Sequence, residues 1–297
     1  MNGGGFAPPA TAPPPRRRWR TGRLWLALQI VLSASLLLLF LLPIYGLFTY
    51  APFSRIVVAA GSAPVWQAIW LTFYASALAV LAAALLAIPL GYLLARHAFP
   101  GRSIVESVVA LPVVIPHLMV GLGLLLLLLP GTPLHHWTVA LGIPIVDSIW
   151  GVVLVMVFVS APYTVLASDL SFRAVDARVL EAARSLGAGS ATVFLMVTLP
   201  LALRGIVAGL LLTWARAVSE IGGLLILTAA VYPGGPYNGP VSSTISVYVY
   251  DLFQLGDFAD AAAVSSFFLL IAFVLFLFVR LGERSGWLPW RRGEFGP

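Results

Sequence analysis

The stretch EAARSLGAGSATVFLMVTLP, Glu181–Pro200, is the longest polar-flecked segment of a chain that is 60% hydrophobic and only 9% charged. Its setting decides how it is read. Soluble domains carry roughly 25% charged residues. These 297 residues have too few charges to solvate a globule, so the bilayer is their solvent. Cysteine is absent, which excludes disulfides, iron–sulfur clusters and cysteine-based zinc sites. All 17 basic residues are arginine. The net charge of +6 does not point to nucleic acid, because the arginines fall in short loops and at the ends of apolar runs rather than along one face. That distribution is a topology signal.

Residues 1–15 are rich in Gly and Pro and are followed by Arg16, Arg17, Arg18, Arg20 and Arg23, so residues 1–22 are expected to form a disordered basic cytoplasmic tail. The apolar run from Leu24 to about Phe48 is too long for the core of a signal peptide, roughly 7–15 residues, and reads as a retained first span. Further runs at about 66–95, 104–130, 149–168, 204–231 and 260–281 each suffice to cross the hydrocarbon. The expected architecture is therefore an all-α polytopic membrane protein. Its membrane domain of six transmembrane helices spans 23–282, followed by a cytoplasmic tail at 283–297. Fifteen arginines fall on one side of this topology and only Arg55 on the other, while Arg216 lies within the fifth span. The bias puts both termini, and the large 169–203 loop that holds the opening stretch, in the cytoplasm. The external 232–259 connection, rich in Gly, Pro, Ser and Tyr, reads either as a turn-rich connector or as a substrate-side vestibule.

Within the cytoplasmic loop, Asp176 is placed to cap a helix through Val179, Leu180, Ala183 and Leu186. Arg178, Glu181 and Arg184 stand three apart and can pair weakly along one face. Gly187 and Gly189 permit left-handed turning, and Ser190 can cap a second helix running through Pro200 into the fifth span. The product is a short surface helix, sharply turned and fused to a transmembrane segment.

The spacing of Glu181-Ala182-Ala183, Gly187, Val197 and Leu199-Pro200 resembles the EAA loop of the permease subunits of ATP-binding-cassette importers. The one departure is Val197, where isoleucine is commoner. This resemblance implies a type I importer permease fold in which Glu181, Ala182, Ala183, Arg184, Gly187 and Pro200 form a coupling element. By the same resemblance, two copies of the chain form the pathway, two cytoplasmic ATPase subunits dock on the two coupling helices, and an external solute-binding protein delivers cargo. Small Ala182 and Ala183 allow close approach of a partner, and Glu181 offers a charge-assisted contact. The sequence has no HExxH, no GxSxG and no phosphate-binding Gly-Lys-Ser/Thr loop. No cofactor is expected in this chain, and ATP and Mg are expected on the partner ATPase.

Two more stretches narrow the family. LPVVIPHLMVGLG, with Pro112, Pro116 and Gly121, resembles a Leu-Pro-x-Val-x-Pro-Pro-x-x-x-Gly pattern of molybdate, tungstate and sulfate importer permeases, with His117 replacing the second proline of the pair. Proline frees carbonyls in a membrane helix and produces either a gate or a packing kink. TWARAVSEIGG resembles the Arg-Ala-x-x-Glu-x-Gly segment of the same permeases and holds Arg216, Ser219 and Glu220. A lone charge at mid-membrane costs about 2.5–3.5 kcal/mol, so Arg216 and Glu220 each need a partner or water. They form either a structural ion pair or an element of an anion path. Iron(III), thiamine and polyamine permeases share this part of the family and remain alternatives. His97 and the pair His135-His136 lie at membrane edges and read as interfacial residues rather than metal ligands. An intramembrane enzyme is the other class. It needs convergent Ser, His or Asp groups, and the spans are nearly bare of them, with Asp169 at a boundary.

Overall fold

The computed structural model describes residues 21–234 and 236–285. The described residues form helices α1 (Thr21–Tyr50), α2 (Phe53–Gly61), α3 (Ala63–Arg96), α4 (Arg102–Val114), α5 (His117–Leu127), α6 (Pro133–Ala140) and α7 (Ile149–Arg173). These are followed by α8 (Ala177–Ser185), α9 (Ser190–Thr192), a π-helical turn (Val193–Thr198), α10 (Leu199–Val218), α11 (Gly222–Leu227), α12 (Ile245–Gln254) and α13 (Phe258–Ser285). Most of the expected tails, residues 1–20 and 286–297, lies outside the described residues.

Among the described residues, five helical segments are long and apolar enough to cross a membrane: Trp25–Tyr50, Ala63–Arg96, Ile149–Arg173, Ser190–Val218 and Phe258–Phe278. The expected third span, 104–130, is not one helix. It breaks into α4 and α5, bent by 111°. Pro116 has no N–H to donate, and Ile115 before it is extended at φ −66° and ψ 130°, the conformation that a following proline favours. The expected fifth span, 204–231, is also corrected. The helical segment begins at Ser190, stops at Val218, and restarts as the short α11 after a break at Ser219–Ile221. Counting α4–α5 as one span gives six.

The central helix is α7, which packs on α3 and α10. Close approach is built from small residues. A Cβ at Gly91 of α3 would sit 3.0 Å from the Asp169 backbone N of α7, and a Cβ at Gly209 of α10 would strike the Ala167 methyl. Gly205 and Gly209 form a Gly-x-x-x-Gly face that lets two backbones meet where lipid supplies no hydrophobic drive. Deep in the α7–α10 seam, Thr164 Oγ1 and Thr213 Oγ1 lie 2.6 Å apart and share a hydrogen bond. The α1 helix is exposed along its length and leans on α13.

The 232–259 connection, expected to be external, is more than turns. Antiparallel bridges join Val231 to Ser242 and Gly234 to Tyr237, and α12 follows. The Ile245 N–H donates to buried Thr72 Oγ1 at 2.8 Å, which fastens the start of α12 to α3.

Candidate functional site

The loop between α7 and α10 is held from behind. Arg96, the last residue of α3, donates from Nη2 to Phe172 O and, at 2.8 Å, to Val175 O, so a guanidinium caps the carbonyl end of α7. Below it Phe172, Val175, Leu180, Val193, Ala202 and Ile206 form one apolar cluster. Tyr92 stacks edge-on against Phe172 and Phe194, with centroids 5.2 and 4.7 Å apart.

Asp176 is the N-cap of α8 and accepts from the Arg178 N–H at 2.9 Å. The expected Arg178–Glu181–Arg184 ladder is not the pairing observed for Arg178. Its guanidinium turns back to Asp176, Nη2 to Oδ2 at 2.9 Å. The Arg178 side chain first, and its backbone N–H second, hold the Asp176 carboxyl below the usual carboxylate range.

The faces of α8 sort differently from the simple apolar pattern. Leu180 points inward at 5% exposure, and Ala183 is partly buried against the same cluster. Leu186 is 89% exposed and Val179 is exposed, although sequence spacing put both on the inner face. Leu186 lies beyond the last helical residue, Ser185, so helical periodicity no longer aims it. Glu181, Ala182 and Arg184 are exposed beside it. This leaves a free outer surface of mixed apolar and charged character.

Gly187 adopts φ +87°, the left-handed conformation that ends a helix without a Cβ clash. Gly189, expected to turn likewise, has an ordinary φ of −69°. It, and not Ser190, is the N-cap position of the next helix. That helix passes through a π turn just before Pro200: the Leu199 N–H reaches Phe194 O, and Thr198 Oγ1 donates to Val193 O at 3.1 Å. Proline cannot donate to the carbonyl four residues back, and the widened turn absorbs the misfit. Pro200 itself is exposed.

A second cluster joins the two helix breaks. Glu220, 1% exposed, lies in the break between α10 and α11. Its Oε1 accepts from the Gly223 N–H at 2.8 Å, and its Oε2 accepts from Arg216 Nη2 at 2.9 Å. The same Oε2 accepts from Nδ1 of His117, the first residue of α5, at 2.7 Å. Because a carboxylate only accepts, Nδ1 carries the proton, and the other ring nitrogen, Nε2, can accept from Arg216 Nη2 at 2.8 Å. Arg216 Nη2 also touches Nδ1, and Arg216 Nη1 donates to Ser219 Oγ at 3.3 Å. The α5 and α11 backbones meet closely here, where a Cβ at Gly121 would sit 2.5 Å from Gly223 O.

The structure thus brings together His117, Arg216, Ser219 and Glu220 and leaves the two prolines apart from them. Pro116 is exposed at the break, and Pro112 is buried inside α4, lining an apolar groove against α3 and α7. Sequence reasoning paired Arg216 with Glu220 through their i,i+4 spacing and placed His117 among the candidate path or gate residues, but it missed the contact among the three, because no local pattern links α5 to α10. It also missed Arg96, whose signal was a lone cation at a helix end, and the Gly205–Gly209 face, which is a readable small-residue spacing. His97 ends α3, and His135 and His136 lie on α6 with ring centroids 6.1 Å apart.

Solved structures share this architecture. The chain aligns with a chain of a bacterial alginate ABC transporter at a TM-score of 0.70 and 22% identity, covering 91% of this chain and 98% of that one. It aligns with a chain of the MetNI methionine ABC transporter at 0.57 and 16%, covering 75% and 94%. Among sequence relatives, the molybdate/tungstate transport system permease protein WtpB of Pyrococcus abyssi is 35% identical over 210 residues, 70% of this chain and 79% of that protein. The Thermococcus kodakarensis WtpB is 44% identical over 153 residues, 52% of this chain and 56% of that protein. The molybdenum transport system permease protein ModB of Escherichia coli K12 is 36% identical, with 67% and 85% covered. Residues 87–285 match the family described as the binding-protein-dependent transport system inner membrane component, and the chain belongs to that family of membrane transport permeases.

Proposed function

We propose that the chain is the membrane subunit of an ATP-driven importer for tetrahedral oxyanions, molybdate and tungstate first and sulfate second. Its relatives named for molybdate and tungstate support that cargo. A more distant one, 28% identical, is named as a probable sulfate permease. Two copies of the chain form the pathway, both termini face the cytoplasm, and an external binding protein delivers the anion. ATP and Mg bind to a separate cytoplasmic ATPase, two copies of which seat on the α8 helices.

The observation that carries the coupling reading is α8 itself. It is fixed inward by Leu180, capped by Asp176 and ended by left-handed Gly187, and it presents Glu181, Ala182 and Leu186 outward. A rigid helix anchored on one face and free on the other transmits a push from a partner into α10 without melting. Closure of the ATPases moves the two α8 helices together, and the breaks beside Pro116 and Ser219 are where the membrane helices flex. Arg216 lies beside the path, where its charge lowers the cost of passing a dianion.

The test is uptake of radiolabelled molybdate into proteoliposomes holding the permease with its ATPase and binding protein. Glu181→Ala and Gly187→Val are expected to lower uptake and substrate-stimulated ATP hydrolysis while the chain still inserts. Unchanged uptake contradicts the coupling role. A binding protein that holds iron(III) or thiamine tightly and ignores oxyanions contradicts the cargo.

A further inference from the structure

The three donors to Glu220 are unequal. Gly223 N–H and His117 Nδ1 come from groups fixed in backbone and ring, at 2.8 and 2.7 Å. The third, Arg216 Nη2, sits at the end of a long side chain that is 18% exposed and whose Nη1 reaches only Ser219 Oγ, at 3.3 Å. A carboxylate buried to 1% exposure tolerates the departure of its cation only if other donors stay. Two stay here, and His117 shares the very oxygen that Arg216 would vacate. From this geometry we infer that His117 is a positioning residue that lets Arg216 exchange Glu220 for a passing oxyanion.

The inference rests on the reading above that an oxyanion passes Arg216. A guanidinium with no counter-ion would hold a dianion too tightly to release it, and one locked to Glu220 would never meet it. Exchange avoids both outcomes. At rest Arg216 and Glu220 cancel. When the anion arrives, Arg216 swings out through its exposed side, Glu220 keeps His117 and Gly223 as donors, and the pair re-forms as the anion leaves. No bond is made or broken beyond hydrogen bonds.

The experiment is radiolabelled molybdate uptake by the full complex of permease, ATPase and binding protein, with folded complex quantified by size exclusion. His117→Leu and His117→Phe, which have no side-chain donor, are expected to lower the maximal uptake rate about tenfold per folded complex, the cost of one lost charge-assisted hydrogen bond. His117→Asn, whose amide Nδ2 stands one bond beyond Cγ as Nδ1 does, recovers most of it. Glu220→Gln removes the charge that needs a substitute partner, so adding His117→Leu to it lowers uptake by less than about twofold further. Uptake by His117→Leu near the native rate overturns the inference, as does an equal loss in the Glu220→Gln background. Failure of all three His117 variants to assemble marks a structural lock and also overturns it. Arg216→Gln separates this from the broader reading. Unchanged uptake there removes Arg216 from the path altogether, whereas lost uptake with a native His117→Leu removes only the exchange.

Discussion

Gly187 and Gly189 stand two residues apart in one turn, yet only Gly187 needs to be glycine. At φ +87° any side chain costs about 1–2 kcal/mol, whereas Gly189 at φ −69° is open to alanine with no atom within 4 Å of its Cβ. Gly187→Ala is therefore expected to lower substrate-stimulated ATPase and the melting temperature of the permease, and Gly189→Ala to leave both near native. Equal effects would show that the turn is held by something other than backbone handedness. Local sequence marked both glycines and could not choose between them, since the choice depends on where α8 ends. The buried cluster carries a second prediction at this scale. Removing one member of a buried ion pair costs about 3–5 kcal/mol where the other is left uncompensated; with His117 and Gly223 still donating to Glu220, Arg216→Ala should lower thermal stability by less than that. Arg216→Ala paired with Glu220→Ala should lower it less than the sum, as a double-mutant cycle would show.

At the scale of elements, α8 was legible and the broken spans were only half so. Its cap, its turn and the fusion to the next helix follow from Asp176, Gly187 and the run into Pro200, all local features. Two prolines occupy the α4–α5 run, and hydropathy treats them alike, but Pro112 rides inside a helix and Pro116 ends one. What fixes the second as a break is distant: the His117–Glu220 hydrogen bond and the Gly121–Gly223 contact hold α5 against α11. The cap of α8 has a definite pH signature. The Asp176 carboxyl is held below its ordinary value, chiefly by the Arg178 side chain. Its contribution is therefore complete above the unfolded value of about 3.9 and is lost only as pH falls through the lower folded value. Hydrogen exchange across 177–185, corrected for intrinsic rates, should show α8 unaffected between neutral pH and about pH 4 and fraying below that. In Asp176→Ala it should be frayed throughout.

At the scale of the whole molecule, α3, α4, α5, α10 and α11 pack on α7, and small residues set how closely they meet it. A leucine at Gly209 has no room beside Ala167, whereas Gly123 faces open space. Gly209→Leu should sharply reduce the yield of folded permease in a detergent thermal-shift assay and Gly123→Leu should not, which would trace stability to the α7–α10 seam rather than to apolar content. Composition and the lengths of the apolar runs were enough to read a multi-pass membrane chain, and the residue spacing within Glu181–Pro200 its family-like loop. They could not show which faces pack, because in lipid every apolar residue suits both a helix neighbour and an acyl chain.

The absence of cysteine from the chain makes the central claim directly measurable. Leu186→Cys, on the exposed side of the α8 turn, should cross-link to the cytoplasmic ATPase subunit in the intact complex and should change its cross-linking yield when ATP is added. Trp137→Cys, on the exposed face of α6, is the control and should not cross-link to the ATPase. A Leu186→Cys chain that inserts and transports but never cross-links to the ATPase, with or without nucleotide, would contradict the claim that this helix is where the transporter is driven.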